Sequence, residues 1–145
     1  MSVRKCLNNL FLAAVILVSQ VLVVRVNDHR WSVHNVIANC IESVVYIEAG
    51  NDQKEWSGSG VIVSEDGTIF TAKHVVEDAD WISIILFNGE ECPVTGVVLL
   101  PNADAAIVYV EATGLKAAKI GNSDELGFSD YVIAIGHPYG LQYSV

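Results

Sequence analysis

His74 and Asp104 are the two side chains whose types and settings could do acid–base chemistry together. His74 stands in "FTAKHVVEDAD", residues 70–80, where a run of β-forming residues stops and acidic residues begin. Further on, "PNADAAIVYV" places Asp104 at the entry to an apolar stretch, again at a junction of loop and strand. A carboxylate beside AAIVYV is expected to be partly desolvated, and a desolvated carboxylate requires a donor. An imidazole Nδ1–H is a suitable one. Paired in this way, Asp104 would hold the ring in one tautomer and stabilise the imidazolium formed when His74 takes up a proton. Alone, a histidine at a strand end is more often a satisfied surface residue, and an aspartate before a strand is usually a turn former. The weight lies in the combination and its context.

Other chemistry is poorly supported. Cys6, Cys40 and Cys92 show neither C-x-x-C nor any zinc spacing. Cys40 and Cys92 are open to two readings, a disulfide in an exported domain or two small buried hydrophobes. His29, His34, His74 and His137 are scattered, without H-E-x-x-H or a tight carboxylate cluster, so neither a metal nor a cofactor is indicated.

The charge distribution narrows the partners. The 145 residues carry a net charge of −9. Residues 1–30 hold four basic side chains and one acidic, and residues 31–145 hold four basic and sixteen acidic, a net charge of −12. Such a surface repels phosphate backbones and argues against nucleic acid as a partner.

At the N-terminus, "MSVRKCLNNLFLAAVILVSQVLVVRV" sets Arg4 and Lys5 ahead of an apolar run from Leu10 to Val24. Residues 1–30 are read as a targeting segment outside the fold, a hydrophobic helix serving as membrane anchor or signal. Fifteen helical residues rise roughly 22 Å against about 30 Å of hydrocarbon, short for a clean span and long for a cleaved signal. No small-x-small cleavage site follows, which favours an anchor, with the acidic part exported by the positive-inside rule. An ordinary buried helix is the plain alternative.

Residues 31–145 then form one domain with a single core. Ser32 is a suitable N-cap, and Val33, Val36, Ile37, Cys40 and Ile41 recur at helical spacing, so a short helix is predicted up to about Glu42. From there the pattern is period two or continuously β-branched. Strands are predicted at Val44–Ala49, Gly60–Ser64, Thr68–Ala72, Trp81–Phe87, Val94–Leu100, Ala105–Glu111 and Tyr131–Ile135, separated by turn signals such as "SEDG" and "LPNAD". The first six, so closely spaced, predict an all-β fold with a closed antiparallel β-barrel over residues 43–112. "GLKAAKIGNSDELGFSD" reads as a surface connection, and "YVIAIGHPYG" as the opening of a second sheet over 128–145.

With those residues in place, the chain resembles the trypsin-like serine proteases, in particular the HtrA/Do (Deg) branch. The resemblance rests on "GSGVIVSEDGTIFTAKHVVEDAD" (58–80), "PNADAAIVYVEA" (101–112) and "YVIAIGHPYGL" (131–141), in that order. It implies a trypsin-like barrel plus the first strand of a second, an endopeptidase activity on unfolded polypeptide substrates, and an exported, periplasmic setting. Trimers are frequent in the family, so a homo-oligomer is an expectation of the resemblance alone. It assigns His74 as general base and Asp104 as its orienting acid.

The chain departs from the family pattern at the nucleophile. No G-N-S-G-G occurs in the 145 residues; "GNSDE" (121–125) lacks the glycines whose N–H groups would build an oxyanion hole. Ser123 is therefore read as a loop serine, and Ser144 has no supporting context. The expectation is a truncated enzyme, inactive as it stands and exposing a barrel face that invites association. The rival reading is a non-catalytic, membrane-anchored pseudoprotease acting as a protein-binding module. A small anchored structural domain, with His74 and Asp104 far apart, is a second rival.

Overall fold

β-Branched residues at alternate positions from Val44 onward have two places to go, because the described residues build two apolar clusters rather than one. The computed structural model describes residues 21–25 and 33–137. In chain order the elements are β1 (Val21–Arg25), α1 (Val33–Cys40) running into a 3₁₀ turn (Ile41–Ser43), β2 (Val44–Asn51), β3 (Lys54–Ile62), β4 (Thr68–Thr71) and α2 (Lys73–Val76). There follow β5 (Trp81–Ile85), β6 (Glu91–Cys92), β7 (Val94–Leu99), β8 (Ala106–Val110), a 3₁₀ turn (Ser123–Glu125) and β9 (Val132–Gly136).

Seven strands form an antiparallel sheet in the order β6-β5-β2-β3-β4-β8-β7. Its end strands, β6 and β7, are separated in the sequence by Pro93 alone, so the sheet curls back on itself into a nearly closed barrel. Proline has no N–H to offer a ladder and suits such a corner; its carbonyl accepts from the Glu111 N–H at 3.0 Å. This is the all-β antiparallel barrel that the sequence predicts.

The barrel interior is filled by Val45, Ile47, Ile62, Ile69, Ile84 and Val108 with their neighbours. Register makes the packing: Ile69 lies opposite Val108 and Ile47 opposite Ile84. Each buried side chain of this size contributes about 1.5–3 kcal/mol by leaving water. The other face of β2 and β3 holds the second cluster, in which the cross-strand pair Val44 and Val61 meets Val36 from α1 and Ile135 from β9.

Several predicted boundaries move. β3 begins at Lys54 rather than Gly60. The Asn51 side chain accepts from the N–H groups of Gln53 (3.0 Å) and Lys54 (3.2 Å), closing a two-residue turn that zips the polar "KEWSGS" onto β2 in spite of its weak β propensity. β5 ends at Ile85, because Leu86 turns the chain by accepting from Gly89 and donating to Glu90. The predicted helix is present as α1 plus its 3₁₀ turn, while its N-cap, Ser32, lies outside the described residues. Val21–Arg25, the end of the apolar N-terminal run, pairs antiparallel with β9 from Val21 opposite Gly136 to Arg25 opposite Val132. A valine-rich stretch favours that extended form. The rest of the run lies outside the described residues, and among those described no helix is long and apolar enough to cross a membrane.

Candidate active site

A helix of one turn cannot hold itself together in water, yet α2 carries His74. Its hydrophobic half anchors it: Val75 and Val76 are buried in the barrel cluster. Val75 packs directly over Gly58 of β3, where an added Cβ would come within 2.7 Å of Val75 Cγ1. Within the turn, Glu77 N–H donates to the Lys73 carbonyl at 2.9 Å, and Lys73 and Glu77 form an ion pair at 3.4 Å. From β3, the Trp56 indole Nε1–H donates to the Val75 carbonyl at 2.9 Å.

Asp104 arrives from the other side, on the loop joining β7 to β8, which is closed by Leu100 N–H donating to the Ala105 carbonyl at 3.0 Å. The structure brings the two predicted site residues together. Asp104 Oδ2 lies 2.8 Å from His74 Nδ1, and Asp104 Oδ1 accepts from the His74 backbone N–H at 3.0 Å. One carboxylate thus grips both the backbone and the ring of a single residue. An ionised carboxylate only accepts, so Nδ1 carries the proton and Nε2 is the basic nitrogen of the neutral ring.

Those donors hold the Asp104 carboxyl below the usual carboxylate range; the His74 backbone N–H is the largest cause, the ring hydrogen bond the next, and burial opposes both. The expected partial desolvation of Asp104 is present but slight. Its side chain is 55% exposed and that of His74 45%, since the 101–104 loop stands at the barrel rim rather than under it. Charge is maintained here by hydrogen-bond donors, not by a dry environment. An open depression of about 480 Å³ faces the pair, lined by Lys73, His74, Glu77, Pro101, Asn102, Ala103 and Asp104.

The remaining candidates fall elsewhere. Ser123 sits exposed in its 3₁₀ turn, which Asn122 caps by accepting from Asp124 N–H at 3.1 Å; Ser144 lies outside the described residues. Cys40 and Cys92 are free thiols. They belong to different clusters, Cys92 to the barrel core and Cys40 to the edge of the second cluster, and burial pushes both thiols up in pKa. No group of His, Cys, Asp or Glu among the described residues could hold a metal ion. Trp56 has no signature in the sequence, because it stands in a stretch too polar to read as a strand. Only its i, i+2 relation to Gly58, once β3 is extended to Lys54, puts both on the side facing α2.

Comparison with known proteins agrees with this architecture. Residues 58–145 match the model of the trypsin-like peptidase domain. A probable periplasmic serine endoprotease, DegP-like, of Chlamydia pneumoniae is 43% identical over 88 residues, 61% of this chain and 18% of that protein. Its counterpart in Chlamydia trachomatis serovar D is 46% identical over the same shares. The solved structure of the HtrA-type protease AlgW with a tripeptide superposes with a TM-score of 0.71 at 28% identity, over 79% of this chain and 38% of that one. The chain thus spans 18% of the length of these curated relatives. From its barrel and these relatives together, the chain belongs to the trypsin-like peptidase family, on the HtrA/Deg branch.

Proposed function

We propose that this chain supplies the base and its orienting acid to an HtrA-like serine endopeptidase. The observation that carries the reading is the double contact of Asp104 with His74, 2.8 Å to Nδ1 and 3.0 Å from the backbone N–H. In this reading a serine outside the 145 residues attacks the carbonyl carbon of a peptide bond while its proton passes to His74 Nε2. Asp104 stabilises the resulting imidazolium. The C–N bond then breaks as Nε2 returns the proton to the departing amine, and water, deprotonated by the same nitrogen, releases the acyl group.

Polypeptides in an unfolded state, outside the cytoplasm, are the proposed substrates. The periplasmic endoproteases among the relatives and the tripeptide-bearing AlgW structure support a polypeptide substrate outside the cytoplasm; the unfolded state is what the family resemblance implies. Export by the apolar N-terminal segment fits that setting. Anchoring in a membrane would require Val21–Val24 to leave β9, because the same backbone cannot be a strand in that sheet and a helix in lipid.

The test begins with the reading frame that follows Val145, where an in-frame G-[NDG]-S-G-G within about a hundred codons is expected for a second barrel of ordinary domain size. In the protein so encoded, His74→Ala lowers hydrolysis of an unfolded polypeptide by about 10⁶-fold. A stop codon, or turnover retained in the variant, overturns the assignment, the former in favour of the non-catalytic binding module.

A further inference from the structure

α2 is gripped at both ends by side chains from other elements. At its start, Asp104 accepts the His74 N–H. At its end, the Val75 carbonyl belongs to the set that a helix leaves without an internal partner; in a helix of four residues nearly every carbonyl is in that set. Trp56 meets this one by donating its indole N–H at 2.9 Å. The indole has a second contact, Lys54 Nζ 5.1 Å from the ring centroid, and β3 is paired along its length with β2. Gly58, two residues on, removes the Cβ that would lift Val75 away.

We propose that Trp56 is a positioning residue for His74, fixing through the Val75 carbonyl the far end of the helical turn whose near end Asp104 holds. The Val75 carbonyl belongs to the residue that directly follows His74, so a shift of that carbonyl rotates the His74 backbone about the Asp104 contact. Loss of the indole donor leaves the carbonyl of a fully buried residue without its partner, and α2 tilts outward to let it reach water. The 2.8 Å ring contact, the shorter of the two and the more dependent on orientation, is lost first. The two ends of the clamp are therefore coupled. The functional meaning of the inference rests on the proposed role of His74, but its physical content does not.

Nuclear magnetic resonance on the 145-residue chain tests it without any proteolysis, so its failure is separable from failure of the catalytic reading. Trp56→Phe keeps the ring and removes the N–H. The expected result is a rise of the Asp104 carboxyl titration midpoint toward the ordinary carboxylate value. The ¹⁵N shifts of His74 move from one tautomer toward a mixture, and exchange of the His74 amide accelerates about tenfold or more as the turn opens locally. Trp81→Phe, on β5, leaves all three unchanged. The reciprocal variant, Asp104→Ala at an exposed position, is expected to accelerate exchange of the Trp56 indole proton several-fold, because coupling between two sites acts in both directions. This arm decides the matter if Trp56→Phe does not fold. An Asp104 midpoint and His74 tautomer unaltered in folded Trp56→Phe, or an indole exchange rate unaltered in Asp104→Ala, overturns the proposal.

Discussion

A carboxylate as exposed as that of Asp104 stays ionised in acid chiefly through the donors it keeps, and the two hydrogen bonds it accepts here come from His74, with a smaller contribution from the Lys73 backbone N–H. Because folding lowers the carboxyl pKa, the contact stabilises the protein above the unfolded carboxylate pKa of about 3.9 and is lost as pH falls through the lower folded value. The melting temperature of the wild type should therefore exceed that of Asp104→Asn at neutral pH, with the gap closing below roughly pH 4. Thermal melts of both proteins across that range check it, and parallel curves down to strong acid would count against the contact. The effect is modest, since solvent screens a pair this open. His74 and Asp104 were legible as a pair because each stands where a strand meets a loop, and such junctions place side chains on a rim. Their exposure was not legible, since neighbouring apolar letters say nothing about which side of a strand a preceding loop residue takes.

The hairpins that carry these side chains depend on particular backbone positions. Gly67 turns β3 into β4 with φ of 102°, and a Cβ there would lie 2.4 Å from the Val110 carbonyl oxygen. The obstacle cannot move aside easily, because Val110 N–H donates to the Gly67 carbonyl at 3.0 Å and ties the same strands. Gly67→Ala should destabilise the protein by about 1–3 kcal/mol. Urea denaturation measures this, and an unchanged midpoint would refute the strain. "SEDG" announced that turn from composition alone. The first half of β3 was hidden, because its pairing follows from the Asn51 turn and from β2 rather than from its own residues. β6, only two residues long, owes its existence to β5 and has no signature of its own.

At the scale of the molecule, the described residues are held by two clusters that share β2 and β3 as a common wall. Ile135, fully buried on β9, closes the smaller one. Ile135→Ala should cost about 2–5 kcal/mol, as for other buried aliphatic truncations. Hydrogen exchange should show α1 loosened before the barrel, because Val36 packs in the same cluster. Uniform loosening of both would argue that the clusters are one cooperative unit. The barrel was legible from six closely spaced short strands. The second cluster was not, because it joins residues nearly a hundred positions apart, and periodicity carries no information at that range.

That separation has a temporal side. His137 N–H reaches back to Ser59 Oγ at 2.8 Å, and Ile135 to Val44 and Val36. At about 5–20 residues per second, the ribosome delivers β9 roughly 5–20 s after β2 has emerged. For that interval the nascent chain offers Val36, Val44 and Val61 to whatever apolar surface is nearby, and β1 has no edge on which to lie. A cell that makes this protein must shelter those valines until translation reaches residue 137.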